Sequence, residues 1–369
     1  MIRLSLLQFR VQAIIAAVTL AAFGVLLAAT GPHLASLYAA DGLDSCHGSS
    51  CLSMATYFSG SLTQGPYGVL FLLSTGIILL APAVIGLFWG APLIARELET
   101  GTAALAWNQS VTRTRWLAVK LAIAGLAAMA LTEALSLMQT WWAAPISQAA
   151  ADGSGAGVAA QGRFSQLNFA SHGITPLGYA AFAFVLGVTA GALIRRTIPA
   201  MAVTLAIFAA LQVAMPLWVR PNLAPADHVA IPVSWQGNFS PAQSGPGGST
   251  FTLFAVTLPG QPGAWLLSSG PVNAAGQSVS ATPAACASIA NTGGVNTGTS
   301  QASQGGGSGA PATGPAAFLA CLGSHGIREA ITYQPASRYW RFQWTETAIY
   351  LALALALAGY CFRRLRRLS

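Results

Sequence analysis

Charge is what this sequence has least of. Of 369 residues only 7% are charged, against 54% hydrophobic, whereas a soluble domain carries about a quarter charged. So few charges cannot cover the surface of a water-soluble fold of this size, which leaves lipid as the solvent for much of the chain. Lysine is nearly missing: Lys120 stands beside sixteen arginines. Because Val119 precedes that lysine, a G-x-x-x-x-G-K phosphate loop is excluded. No H-E-x-x-H, G-x-S-x-G or S-x-x-K motif occurs. The five histidines, at 33, 47, 172, 228 and 325, form no metal-binding pattern. The chain is therefore expected to catalyse nothing itself and to bind no metal or cofactor.

What it does have is long apolar runs. Six can be read directly: Val11–Thr30, Gly68–Ala95, Leu117–Trp142, Gly173–Ile194, Ile198–Val219 and Thr345–Phe362. A bilayer core needs roughly 20 apolar residues of helix, and backbone groups in lipid must be satisfied within the segment. The expected fold is an all-α integral membrane protein of six spanning helices. The first run is too long for a signal-peptide core and no small-x-small cleavage site closes it, so it reads as a retained anchor. Residues 1–10, with Ile2, Leu6 and Phe9 on one helical face and Arg3 and Arg10 beside it, read as a short cytoplasmic interfacial helix.

The net charge of +8 does not point to nucleic acid, since the basic residues flank apolar runs instead of forming one patch. With the N-terminus inside, the cytoplasmic segments hold twelve of the seventeen Lys and Arg residues. That distribution obeys the positive-inside rule and predicts a multi-pass plasma-membrane protein with both termini cytoplasmic, the basic tail closing residues 345–369. Trp141, Trp142, Trp218, Trp340 and Trp344 then fall at outer ends, and Trp89 and Trp116 mark the inner side.

Residues 219–344 form the one long segment between runs, placed outside the cell by this orientation. Cys46 and Cys51 lie in the first outer loop and Cys286 and Cys321 in this last one. Four cysteines on an oxidising side permit three pairings, of which local Cys46–Cys51 with Cys286–Cys321 is the simplest. Phe251–Leu258 and Trp265–Leu267 have strand-like composition. Residues 292–315 hold Gly, Ser, Thr, Ala and Pro without charge, a composition that cannot bury a core and predicts a disordered loop. The segment is expected to be a small, loop-rich, disulfide-tied cap, with Tyr333–Trp344 resting on the outer membrane surface.

The stretch 96–116, between the second and third runs, is the most informative. After the break at Gly101, Thr102 can cap a short helix through Leu105 to Trp107, and Ser110 can cap the third spanning helix. Glu97 and Glu99 precede this element and Arg113 and Arg115 follow it. A two-turn helix held between two spanning helices can pass force from a soluble partner, although many capped juxtamembrane loops do no more than face solvent.

The Glu-x-x-x-Gly-Thr element followed by Ser-x-x-Arg and Lys120 resembles the first cytoplasmic loop of ABC-type-2 exporter permeases. Trp89–Glu99, Leu105–Ser110, Gly187–Pro199 with its Arg195-Arg196 pair, and Tyr333–Trp340 are similar to permease subunits common in actinobacteria. The likeness spans all six runs and is weakest in the Gly/Ser-rich outer loop. It implies a half-transporter that pairs with a second copy or a second permease and docks on a separate ABC ATPase, which holds the ATP and magnesium. It also implies a coupling helix, here Gly101–Gln109, with Glu97, Glu99, Arg113 and Arg115 as polar contacts around it. Export as the direction of transport follows from the resemblance alone. A lipid, peptide, antibiotic or ion would suit apolar helices with sparse polar residues, and a hydrophobic or drug-like substrate is the expectation.

Glu133 is the one acid within a spanning run, about 24 Å along the third helix from Leu117. An ionised side chain at that depth is costly and often faces a pathway or partner. Gln212 lies at comparable depth in the fifth run, so the two are expected to meet across helices three and five. Alternative functions are a secondary transporter, for which one intramembrane acid and no internal repeat are poor support, and a membrane-anchored sensor or immunity protein that binds peptide outside the cell.

Overall fold

The computed structural model describes residues 2–46, 50–99, 113–152, 162–233, 239–243, 251–255, 258, 261, 263–286, 289 and 315–366. Two compact units are present. The larger contains the spanning helices and the smaller contains Ala224–Arg338.

Six helices are long and apolar enough to cross a membrane. Helix α1 covers Ile2–Ala40 and α2 covers Ser50–Gln64. The second span is composite: α3 (Pro66–Ile85) passes through one π-helical turn, Gly86–Gly90, into α4 (Ala91–Glu99). The third span is α5 (Arg113–Trp142), followed by the short helices α6 (Ala144–Asp152) and α7 (Gln166–Ser171). The fourth span, α8 (Thr175–Ile194), turns directly into α9 (Thr197–Ala214), which continues through a second π turn at Met215–Val219 and a 3-10 turn at Arg220–Asn222. The last span is α10 (Tyr339–Arg366).

The six apolar runs are all spans, but their ends differ from expectation. Residues 2–10 form no helix of their own, because α1 runs unbroken to Ala40 and carries Pro32 inside it. The stretch Tyr333–Trp344 is not a single element. It contains the end of a strand, a 3-10 turn at Ala336–Arg338 and the first turns of α10.

Helix α8 is the axis of the larger unit and packs on α3, α4, α5, α9 and α10. Its sequence allows this because small residues let neighbouring backbones approach. A Cβ placed at Gly187 would lie 2.3 Å from the Gly86 carbonyl oxygen, and one at Gly191 would lie 2.5 Å from that of Ala91. From the other side, a Cβ at Gly90 would lie 2.5 Å from the Phe184 oxygen. Two small-xxx-small pairs, Gly86/Gly90 and Gly187/Gly191, thus weld the second span to the fourth. The π turn sits at this contact, where irregular helical geometry commonly marks function.

In the smaller unit, β1 (Asp227–Pro232), β5 (Arg328–Gln334) and β4 (Trp265–Val272) form an antiparallel sheet in the order β1-β5-β4. A second pair joins β2 (Phe239–Gln243) to β3 (Phe251–Ala255). A short helix, Pro315–Ser324, contributes Phe318, Leu319 and Leu322 to a core with Val233, Cys286 and Ile327. Disulfides Cys46–Cys51 and Cys286–Cys321 are formed, the simplest of the three pairings. Of the strand-like stretches, residues 251–255 fall on β3 and 265–267 on β4. The expected disordered loop at 292–315 lies, but for Pro315, outside the described residues.

Candidate functional site: a charged rim and a buried clasp

At one end of the larger unit, α4, α5 and the α8–α9 turn bring their charges together. Glu97 of α4 forms an ion pair with Lys120 of α5, whose ammonium also lies 4.6 Å from the centre of the Trp116 ring. This pair closes the base of the segment 100–112. Glu99, two residues on, accepts hydrogen bonds from the Thr197 backbone N–H at 2.8 Å and the Thr197 hydroxyl at 2.7 Å. Thr197 opens α9, so Glu99 supplies from another helix the capping acceptor that free N-terminal amides require. The Thr197 hydroxyl, then its backbone N–H, holds the Glu99 carboxyl below its ordinary pKa. The helix α8 ends at Arg195, which adopts a left-handed φ of 57° and makes the tight reversal possible.

Of the residues expected to contact an ATPase, Glu97 and Glu99 both have partners within the chain. Arg115 is exposed. Gly101, Thr102, Leu105, Trp107 and Ser110, and with them the short helix expected at 101–109, lie outside the described residues, as does the Arg113 side chain.

The opposite end of the unit holds a buried polar clasp. Arg220, at the end of the fifth span, meets Glu346 of α10 in a two-pronged ion pair: Nε to Oε2 at 2.9 Å and Nη2 to Oε1 at 3.0 Å. Both side chains are almost wholly buried, at 1% and 0% exposure. The Tyr179 hydroxyl of α8 donates to the same carboxylate, and the Arg220 guanidinium lies 4.0 Å from the centre of the Phe169 ring. Paired this way, each desolvated charge recovers part of what water would otherwise supply, with the Arg220 Nη1 left buried without a hydrogen-bond partner. One turn earlier on α10, the Gln343 Oε1 accepts from the backbone N–H groups of Ile174 and Thr175, at 3.0 and 3.1 Å. Its Nε2 donates to the carbonyls of Phe169 and His172, both at 3.1 Å. A single side chain thus satisfies the start of α8 and the turn that precedes it.

Glu133 and Gln212 do not form the expected pair. The Gln212 Oε1 accepts instead from the Tyr350 hydroxyl of α10 at 3.1 Å. The Glu133 Oε2 is buried without a hydrogen-bond partner. Among the described residues, Cys286, Cys321 and His325 come within 4.8 Å of one another, but both sulfurs belong to the disulfide, which leaves only His325 as a conventional ligand.

The clasp was not legible as a cluster in the sequence. Arg220 and Glu346 are both charges at the edges of apolar runs, which is the one signal that could have singled them out. Their separation of 126 residues hides the pairing.

No curated protein and no solved structure matches the chain. A family model described as "ABC-2 membrane transporter related" matches residues 17–220, from the first span through the fifth. With more than half of its length under that match, this multi-pass membrane protein belongs to the family of ABC-2-related membrane transporters, whose members are permease subunits of ABC transporters.

Proposed function

We propose that the chain is the permease half of an ATP-driven exporter of the actinobacterial type, with both termini cytoplasmic. In this reading the segment 100–112 docks on a separate ABC ATPase, and the Ala224–Arg338 unit lies outside the cell. ATP and magnesium belong to the partner, and a second permease copy or a second permease completes the pathway. The rim faces the cytoplasm, in keeping with the arginines and the lysine gathered there and the tryptophans at the far ends of the spans.

The observation that carries the proposal is the anchoring of segment 100–112. Glu97 with Lys120 ties its two flanks together, and Glu99 ties it to the start of α9. Its N-terminal flank, α4, is fused to α8 by backbone contacts at Gly90, Gly187 and Gly191. A displacement imposed on that segment therefore moves the second, fourth and fifth spans together, which is what a partner with two nucleotide-dependent shapes needs in order to bias two conformations of the permease. The ATP-loaded partner favours one arrangement by its differential affinity for it. Glu133, whose Oε2 is buried without a hydrogen-bond partner in a spanning helix, is the candidate for a pathway-lining group.

The test is purification of the tagged chain from its native membrane. The expected result is a co-purifying phosphate-loop ATPase whose hydrolysis rate depends on the permease. Replacing residues 101–109 with a Gly/Ser linker should release the ATPase while the permease still folds. Purification without any ATPase, together with binding of an extracellular peptide, would replace this reading with that of a sensor.

A further inference from the structure

The larger unit contains a cleft of about 150 Å³ that neither the rim nor the clasp uses. A cavity of about that volume accepts a benzene-sized apolar group. Its walls come from five elements: Phe71 of α3, Thr140 of α5, Ile146 and Ser147 of α6, His172 after α7, and Tyr339 and Trp340 of α10. Arg163 stands at its edge. Every spanning helix that contributes does so close to one of its ends, since the spans run Pro66–Glu97, Thr114–Trp142 and Ala336–Arg364. The cleft therefore lies at the depth where the hydrocarbon core gives way to headgroups. Exposed Trp141 and Trp340 mark the same depth, the usual position of interfacial tryptophan.

Two polar groups there have capacity to spare. The Arg163 guanidinium is exposed and lies 5.6 Å from the centre of the Tyr339 ring, and among the described residues no carboxylate pairs with it. The His172 Nδ1 lies 2.9 Å from the Asn168 carbonyl oxygen and 2.9 Å from the Ser171 hydroxyl, which itself donates to that carbonyl. A carbonyl can only accept, so Nδ1 carries the proton and Nε2 is left as an acceptor. Among the described residues that Nε2 has no hydrogen-bond partner. Burial of the ring pushes the His172 pKa down to about 4, so the ring is neutral at physiological pH.

From this geometry we infer that the cleft is a binding site for an anionic phospholipid. The first part of one acyl chain would fill the apolar wall between Phe71, Ile146 and Trp340. The phosphate would meet Arg163, and a hydroxyl of a glycerol headgroup would donate to His172. Arginine suits the phosphate because its planar fork offers several donors to the oxygens at once. The charge at headgroup depth also selects anionic over zwitterionic lipid, as basic residues near a membrane surface do. Tyr339 connects this site to the bundle: its hydroxyl is 3.0 Å from the Nε2 of Gln343, the side chain whose Oε1 braces the start of α8. A bound lipid would therefore stabilise the junction of the fourth and sixth spans.

The experiment is native mass spectrometry of the purified protein, loaded from mixed micelles of phosphatidylglycerol and phosphatidylcholine of equal acyl composition. The wild-type chain should retain phosphatidylglycerol with about a fivefold preference. Arg163→Gln should reduce that preference to near unity, while Arg341→Gln, an exposed arginine outside the cleft, should leave it intact. Ser147→Trp, which fills the cleft, should abolish retention of both lipids. An undiminished preference in Arg163→Gln, or wild-type retention in Ser147→Trp, would overturn the site. Displacement of the lipid by water-soluble glycerol phosphate at equal concentration would also overturn it, since the cleft would then recognise a free anion.

Discussion

The fourth span and the first are both apolar helices, yet 72% of the most apolar stretch of the fourth is buried inside the protein and only 11% of that of the first. Apolarity therefore does not decide which helix becomes the axis. Glycine placed against a neighbouring backbone does, since small residues as such are also plentiful in the first span. The fourth span presents Gly178, Ala180, Ala183, Gly187 and Gly191, against which neighbouring backbones can lie. The first presents Val11, Ile14, Ile15, Val18 and Val25 outward, where lipid satisfies them as well as protein would. Polar groups follow the same division. The buried side chains Tyr179, Arg220 and Glu346 gather around the fourth span, while the first contributes to packing chiefly through Phe23, Leu27 and Leu34 on the side facing α5 and α2.

That contrast predicts a graded series of effects. The largest should come from Glu346→Leu, which leaves Arg220 buried and unpaired beside the fourth span. Removing one partner of a buried pair costs about 3–5 kcal/mol, to be read as a lowered thermal midpoint of the detergent-solubilised protein. The double variant Arg220→Met with Glu346→Leu should recover most of that loss, because the remaining cost of burial disappears with the second charge.

Glu329 sharpens the point from the smaller unit, where a buried acid lacks an arginine. Burial pushes its carboxyl up to about 7, with a smaller downward pull from the Ser269 hydroxyl. The folded form therefore holds a proton that the unfolded chain has already released above about pH 4.5. Stability of this unit should be highest below that pH and fall as pH rises towards 7. Glu329→Gln should flatten the slope and raise stability at pH 8, measured by the pH dependence of unfolding.

Next in size is Gly187→Ala, whose added methyl would meet backbone at 2.3 Å. Overpacking of this kind costs about 1–3 kcal/mol. Gly76→Ala, on the second span with open space around it, should cost nothing measurable. Val18→Ala on the exposed face of the first span should be similarly small, within about 0.5 kcal/mol. A large loss there would mean that this face is covered by another protein chain.

How much of this could be read in advance depended on whether the deciding interaction was local. Six spans were legible because each is a continuous apolar run, and lipid tolerates little else. The end of α1 was not, because His33 and Pro32 look like a stop while tertiary packing of Leu34 carries the helix on to Ala40. The start of α10 was hidden by Gln343 and Glu346, polar residues that lengthen a helix once the start of α8, the turn before it and Arg220 receive them. The strands β1 and β5 were missed because β5 places Glu329 in its buried set, which breaks the expected apolar alternation. For the rim, the sequence marked Glu97 and Glu99 as notable, but not that their first partners are Lys120 and Thr197. The first contact spans 23 residues and the second 98, and residue types alone do not encode either.

The claim that segment 100–112 is the handle by which an ATPase moves the second, fourth and fifth spans has one most direct test. A single cysteine placed at Ala103, in a Cys361→Ser background, should react with a membrane-impermeant maleimide in inverted vesicles and stay unlabelled in intact cells. Addition of the ATPase should protect it. Labelling of that cysteine from the outside of intact cells would contradict the account, because no nucleotide-driven partner could then reach the segment.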